Sequence, residues 1–476
     1  MRELGVGLVY WPELEPLFDA GGLVDVLELE PQTFWRKREP ATGTSYVVNE
    51  EVLLRLASRS QAKLLHGVDQ PIGGTVGDPL DYLAAWTRTI NYLDPAWISE
   101  HLSFNRVRTR GAVEHTGFLL PPKQCEAGVA VAVQNIRRFS SELRRPVAFE
   151  TGVNYLQRHS DEWDDGDFFG AVANRADCGI LLDLHNLWCN EQNGRTLVAE
   201  TLRRLPLERV WELHLAGGMK RDGYWLDAHS DVVPPGLLEL AAGLIPKLPA
   251  LGAIVFEILP SHLEGVGLDR VARQLEALHS LWALRQPRHV VPATVNAMPS
   301  LEQQRADAED IDELSAWERA LLGSLFGRPV NDGTFDRLGD DPGIAVWRQL
   351  IREARRSALA RALKYTMTLL LLHLGTAETS RLLSEYCETV AADPYAATEA
   401  DHFATFLLSR TRLLTGIPYL AETFAYEHAL LRATLYSEPT RLTWSTDPTQ
   451  LFAALDAGRV PRDLPNMRST LNVRPQ

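Results

Sequence analysis

Eight short β-rich runs, with helical periodicity between them, constrain this chain more than any other feature. They are "GVGLVYW" (5–11), "VLELEP" (26–31), "AKLLHGV" (62–68), "AWISEHLSF" (96–104), "PVAFETGV" (146–153), "GILLDLHNL" (179–187), "VWELHLAGG" (210–218) and "AIVFEIL" (253–259). Amphipathic stretches such as "EVLLRLASRS", "GVAVAVQNIRRFSSEL" and "DFFGAVANRA" separate them, and "LDRVARQLEALHSLWALR" follows the eighth. Such alternation reads as repeated βα units rather than as a sandwich. Eight units in this length match the size and rhythm of a (β/α)8 TIM barrel. The competing doubly wound sheet lacks support, because no G-x-G-x-x-G follows the first strand.

Residues 1–285 are therefore expected to form the barrel. After Arg285, "QPRHVVPATVNAMPSLEQQRADAEDIDE" mixes proline, polar and acidic residues without a period, so 286–310 reads as a linker. From 311 to 476 the pattern is helical, in "AWERALLGSLF", "AVWRQLIREARRSALARALKYTMTLLLLHL" and "GIPYLAETFAYEHALLRATLY", which predicts a smaller all-α domain. The apolar run "TMTLLLLHL" is far short of the roughly 20 residues that span a bilayer, so a buried helix is expected there and no membrane partner. With 45% hydrophobic and 23% charged residues the composition is that of an ordinary globular protein. A formal charge of −14 offers no basic footprint for nucleic acid. The four cysteines have no C-x-x-C spacing, which argues against a thiolate metal site or a disulfide scaffold. Together with an N-terminus that lacks a signal-peptide pattern, they predict a reducing, cytoplasmic setting.

Catalytic groups of a barrel project from the C-terminal ends of its strands, and polar residues gather there in this chain. His66 ends the third run, His101 lies late in the fourth, and Glu150 ends the fifth. Asp183, His185 and Asn186 close the sixth, His214 the seventh, and Glu257 falls late in the eighth. The loop after the seventh adds "LDAH", whose Asp227 and His229 share one side of an extended segment. One such residue alone is more often a satisfied buried group than a ligand. Nine imidazole, carboxylate and amide groups at one mouth would carry a prohibitive desolvation cost unless shared cations offset it. Nitrogen and oxygen donors without thiolate suit iron, manganese or zinc, and nine of them imply two or three ions. Strand parity puts His185 on the face of Asp183 and Asn186 on the other, so Asn186 reaches the mouth only if the strand has already turned. Glu28, Glu30, Glu100 and Glu212 are candidates for orienting ligating imidazoles from behind. The glycine-rich "GVDQPIGGTVGD" (67–78) reads as a loop after a barrel strand in preference to an anion cradle.

In order, "LLHGV", "SEHLSF", "FETG", "LLDLHN", "ELHLAGG", "LDAH" and "VFEIL" resemble the multinuclear non-heme iron oxidative enzymes, the family that includes the oxidase of methanobactin biosynthesis. The resemblance spans residues 5–260. It implies metal ligation by His66, His101, Glu150, Asp183, Asn186, His214, Asp227, His229 and Glu257, thus choosing Asn186 over His185 and leaving His185 beside the ligands. It implies two or three irons (Fe2+/Fe3+), dioxygen as co-substrate, and oxidative remodelling of residues, often cysteines, in a ribosomally made precursor peptide. Members often work with a small helical partner, and the tail, in "LLSEYCETVAADPYAATEADHFATFL" and "GIPYLAETFAYEHALLRA", resembles a diverged partner fused to the barrel. The chain departs from the family at "DLHN", where His185 replaces an amide, and at Gly218, where a histidine is usual. A histidine is also usual where it has "VYWPE", and a Glu-Asn pair where it has "ELEPQTFW".

The expected function is iron- and dioxygen-dependent modification of a precursor peptide. One alternative is a metal-dependent barrel hydrolase or isomerase acting on a phosphate ester or sugar. A second is a non-catalytic metal-binding scaffold.

Overall fold

The computed structural model describes residues 1–38, 44–77, 80–286, 306–328, 333–461 and 464–475. Each of the eight predicted runs contains a strand: β1 Gly5–Val9, β2 Val26–Leu29, β3 Ala62–Gly67, β4 Ile98–His101, β5 Val147–Glu150, β6 Gly179–Asp183, β7 Val210–Arg221 and β8 Ala253–Glu257. They pair in parallel around a closed circuit, with β1 joined to both β2 and β8 and the ring completed between β6 and β7. The first part of the chain is thus a TIM barrel, and a helical region follows it.

The period-two geometry of strands explains how one barrel houses both a dry core and a polar mouth. Val26, Leu64, Trp97, Ala148, Leu181 and Val255 belong to one buried apolar cluster. Two residues further along five of these strands, on the same face, stand Glu28, His66, Glu150, Asp183 and Glu257. The apolar layer closes the barrel below, and the polar layer opens at the C-terminal strand ends. The loop after β3 packs back onto the barrel. Ile72 N–H donates to the His101 carbonyl at 3.0 Å, Gly73 N–H to the Ser103 carbonyl at 2.8 Å, and the Asn135 amide to the carbonyls of Ile72 and Gly74.

The chain divides into two compact units at places the sequence did not mark. One unit comprises Met1–Trp35, Val48–Gly111 and Leu119–Val346; the other comprises Arg36–Val47, Ala112–Phe118 and Trp347–Gln476. The expected boundary at 311 therefore falls inside the barrel unit, whose helix Ala308–Phe326 packs Ile311 and Leu314 against Ala127 and Val131. Helical periodicity reveals an apolar face without naming what covers it, and here a barrel helix does. Most of the expected linker, 287–305, lies outside the described residues.

The second unit is built around Leu359, Leu370, Tyr386, Phe403, Leu407, Leu420 and Phe424. "TMTLLLLHL" lies in the helix Lys364–Thr389 with Leu369 and Leu370 buried. Among the described residues no helix is long and apolar enough to cross a membrane. The tail is not all helix, because Thr440–Thr446 pairs antiparallel with Asn466–Val473. Thr440–Thr446 alternates exposed Arg441, Thr443 and Ser445 with covered Leu442, Trp444 and Thr446, but its partner Asn466–Val473 is exposed along most of its length and carries no such alternation.

Candidate metal centre

The nine expected donors, contributed by six barrel strands and two segments just beyond them, converge at the barrel mouth. Asp183 ends β6 in extended conformation, and its Oδ1 accepts the Asn186 N–H at 2.7 Å, capping the helix Leu184–Gln192. The chain turns at once, so Asn186 sits in the first helical turn and its amide donates to Glu150 Oε1 at 3.1 Å. That turn removes the parity obstacle.

Four groups of side chains have one potential ligand atom each within 4.8 Å of the others: His66, His101 and Glu150; Glu150, Asp183 and His214; Asp183, Asp227 and His229; Glu28, His214 and Glu257. Glu150 and Asp183 each belong to two groups, linking the first three into one chain. Glu150 Oε2 is 3.0 Å from both His66 Nε2 and His101 Nε2. Glu257 Oε2 lies 3.2 Å from His214 Nδ1 and 3.4 Å from His229 Nε2.

The far side of each barrel histidine is anchored. His101 Nδ1 donates to the Gly67 carbonyl at 2.9 Å; a carbonyl only accepts, so Nδ1 carries a proton and Nε2 is the nitrogen turned to Glu150. His66 Nδ1 meets Ser99 Oγ at 2.9 Å, while the Ser99 hydroxyl is directed to the Leu65 carbonyl. His214 Nε2 donates to Glu28 Oε2 at 3.2 Å, which leaves Nδ1 facing Glu257. A ligating imidazole held from behind by an acceptor is the usual arrangement in metal sites.

Burial makes the cluster costly as it stands. Asp183 and His214 are 0% exposed, and Glu150, Asn186 and Glu257 are buried too. Glu150 Oε2, Asp183 Oδ2, Asn186 Oδ1, His214 Nδ1, His229 Nε2 and Glu257 Oε2 are buried without a hydrogen-bond partner. An unsatisfied buried polar atom costs about 1–3 kcal/mol, and these six atoms belong to residues of the barrel mouth. Burial, with the charges of Asp227, Glu257 and Glu150, pushes the Asp183 carboxyl well above its usual range. Burial also raises Glu100 to about 8, and burial with the Glu257 charge raises Glu30 to about 7. A dry site so crowded with carboxylates and imidazoles fits a set of shared cations.

The supporting carboxylates fall around this set. Glu28 backs His214. Glu212 accepts from the Trp97 indole at 2.8 Å and approaches His214 Nε2 at 3.7 Å. Glu100 accepts the N–H groups of His101 and Gln70, each at 3.0 Å. Glu30 feels the charges of Glu257, His229 and His101. His185 Nδ1 meets Asp227 Oδ1 at 2.9 Å. Reading the sequence alone missed Ser99 and Tyr155, whose hydroxyl accepts the Asp227 N–H at 3.1 Å. Only Ser99 left a trace, two residues before His101 on the same strand face.

A family profile described as "RiPP precursor modification enzyme MbnB/TglH/ChrH" matches residues 24–258, the stretch that carries all nine donors. A UPF0276 protein of Anaeromyxobacter sp. (strain Fw109-5) is 33% identical over 205 residues, 43% of this chain and 70% of that protein. The chain belongs to the UPF0276 family. A UPF0276 protein of Caulobacter vibrioides (strain NA1000 / CB15N) is 30% identical over 222 residues, 46% of this chain and 75% of its own length. Among solved structures, D-psicose 3-epimerase from Clostridium cellulolyticum H10 covers 60% of this chain and 99% of itself, at 12% identity and a TM-score of 0.37. The matched profile, described as one of RiPP precursor modification enzymes, lies within the barrel.

Proposed function

We propose that this chain is a multinuclear non-heme iron enzyme that uses dioxygen to modify a ribosomally made precursor peptide oxidatively. One observation carries the reading: buried, partnerless donor atoms gather in linked groups that share Glu150 and Asp183. Carboxylates common to adjacent groups suit ions held close together, as a multinuclear centre needs. His66, His101, Glu150, Asp183, Asn186, His214, Asp227, His229 and Glu257 would hold two or three irons. When bound, these supply Lewis acidity and dioxygen activation at open coordination positions.

The chain's own residues prepare the site. Gly67, Ser99 and Glu28 fix the imidazole faces, so ligand orientation is set before any ion arrives. The apolar layer through Val26, Leu64 and Val255 closes the barrel beneath and keeps water from below. The ligand-free second unit is assigned to peptide recognition, the task of a separate helical partner in the resemblance drawn from the sequence. Anaerobically purified protein is expected to hold two or three irons per chain, and Asp183→Ala or His214→Ala to lower that number. Elemental analysis finding at most one transition-metal ion in the unaltered protein overturns the proposal.

A further inference from the structure

Asp227 and His229 are the two donors that the barrel itself does not fix. They lie on the ribbon Tyr224–Asp231, which folds back antiparallel on the end of β7 with a register shift between Gly217 and Met219. His229 has φ +44°, a sparsely populated conformation for a residue with a side chain. Parallel ladder bonds position Glu150 and Asp183, whereas these two depend on local ties.

His185 ties the Asp227 carboxylate from outside the donor set, at the same Oδ1 that lies 2.9 Å from His229 Nε2. It is 0% exposed, in the first turn after β6, and its Nδ1 donates to Asp227 Oδ1 at 2.9 Å. The imidazole stacks on Trp188, with ring centres 5.9 Å apart and planes at 24°. Its Nε2 faces the Cys189 thiol at 3.7 Å. A Cβ at residue 218 would stand 2.7 Å from that same nitrogen, so the glycine leaves room for the ring. With Nδ1 engaged by Asp227 and Nε2 enclosed by Cys189 and Gly218, the ring has no nitrogen directed at the shared space.

We infer that His185 is a positioning residue which orients Asp227, and that it thereby governs one metal position, that of Asp183, Asp227 and His229, separately from the others. The inference rests on the multinuclear reading above. It also joins two departures from the resembled family, the imidazole at 185 and the glycine at 218, into one packing arrangement.

Two substitutions separate hydrogen bonding from packing. His185→Phe keeps an aromatic ring against Trp188 but removes the donor. His185→Asn gives up the ring but places an amide N–H where Nδ1–H stands. The proteins are loaded with ferrous iron under anaerobic conditions, competed with a ferrous chelator, and compared by elemental analysis and Mössbauer spectroscopy. His185→Phe is expected to lose one iron equivalent, or to hold it about 10- to 100-fold more weakly, with one Mössbauer component depleted. The melting temperature of its metal-free form stays that of the unaltered protein, and His185→Asn retains the full iron complement.

Unaltered iron content and chelator resistance in His185→Phe overturn the inference, as does equal depletion of every component. Loss in His185→Asn matching that in His185→Phe also overturns it, because the ring and not the donor would then matter. Should His185→Phe fail to fold, His185→Gln, whose amide reaches only the Nε2 side, takes its place with the same opposing outcomes. Fewer than two irons in the unaltered chain overturns the multinuclear reading and this inference together; failure of the variants alone leaves that reading standing.

Discussion

Glu318 shows at the scale of one residue how burial is written into pH dependence. It lies on the helix Ala308–Phe326, 2% exposed, where its carboxyl oxygens accept the Thr75 N–H at 2.8 Å and approach the Thr75 hydroxyl. Burial pushes its pKa up to about 7, and the hydrogen bonds from Thr75 only partly oppose this. The unfolded chain titrates such a group near 4.3, so the folded state holds the proton more tightly. The resulting stabilisation is fully present below about pH 4.3 and is lost as pH rises through about 7, amounting to ~4 kcal/mol at most. Glu318→Gln should flatten that decline, as read from urea midpoints between pH 4 and 8. A variant whose pH profile parallels the unaltered protein would show that Glu318 is not the titrating group. This site was invisible beforehand, since nothing near "AWERALL" announces that its glutamate will be covered by Thr75, 243 residues earlier. The mouth residues were legible for the opposite reason. Asp183 and His214 interrupt apolar runs, and the cost of burying them is already apparent in one dimension.

At the scale of elements, the eight strands were legible because buried parallel strands are short apolar runs bounded by breaks. What sequence could not supply was their lateral fit. Gly179 opens β6, and a Cβ there would approach the Trp211 ring to 2.2 Å on the neighbouring β7. Trp211 in turn meets Trp97 edge-on, so the ring has little freedom to retreat. Gly179→Ala should therefore destabilise the barrel by about 1–3 kcal/mol through overpacking, measured by denaturant titration of the metal-free protein. An unchanged midpoint would mean that Trp211 yields without cost. The tail shows the reverse limit. Apolar periodicity gave its helices but not the ribbon Thr440–Thr446 with Asn466–Val473, whose second strand exposes Met467 and Leu471 among polar residues and so hides the alternation of the first.

For the whole molecule, the division into units carries the functional separation. All nine donors fall within Val48–Gly111 and Leu119–Val346, and none within the second unit. That second unit is held by a buried ion pair: Arg355 Nε donates to Glu399 Oε1 at 2.6 Å, with side chains 2% and 0% exposed. The same guanidinium donates to the Cys387 carbonyl at 3.0 Å and lies over the Tyr386 ring at 4.6 Å. Glu399 also accepts the Asp393 N–H at 2.8 Å, and Asp393 pairs with Lys37 at 2.7 Å, so one arginine organises several segments. Removing it strands a buried carboxylate, a loss of about 3–5 kcal/mol when one partner of such a pair is taken away. Arg355→Met is therefore expected to lower the stability of the second unit, read from its denaturant midpoint, while iron per chain stays that of the unaltered protein. Affinity for a precursor peptide, measured by calorimetry on the same sample, should fall with the second unit if recognition resides there. Iron lost in step with the unfolding of that unit would overturn the separation of metal binding from recognition, and undiminished peptide affinity would move recognition to the barrel.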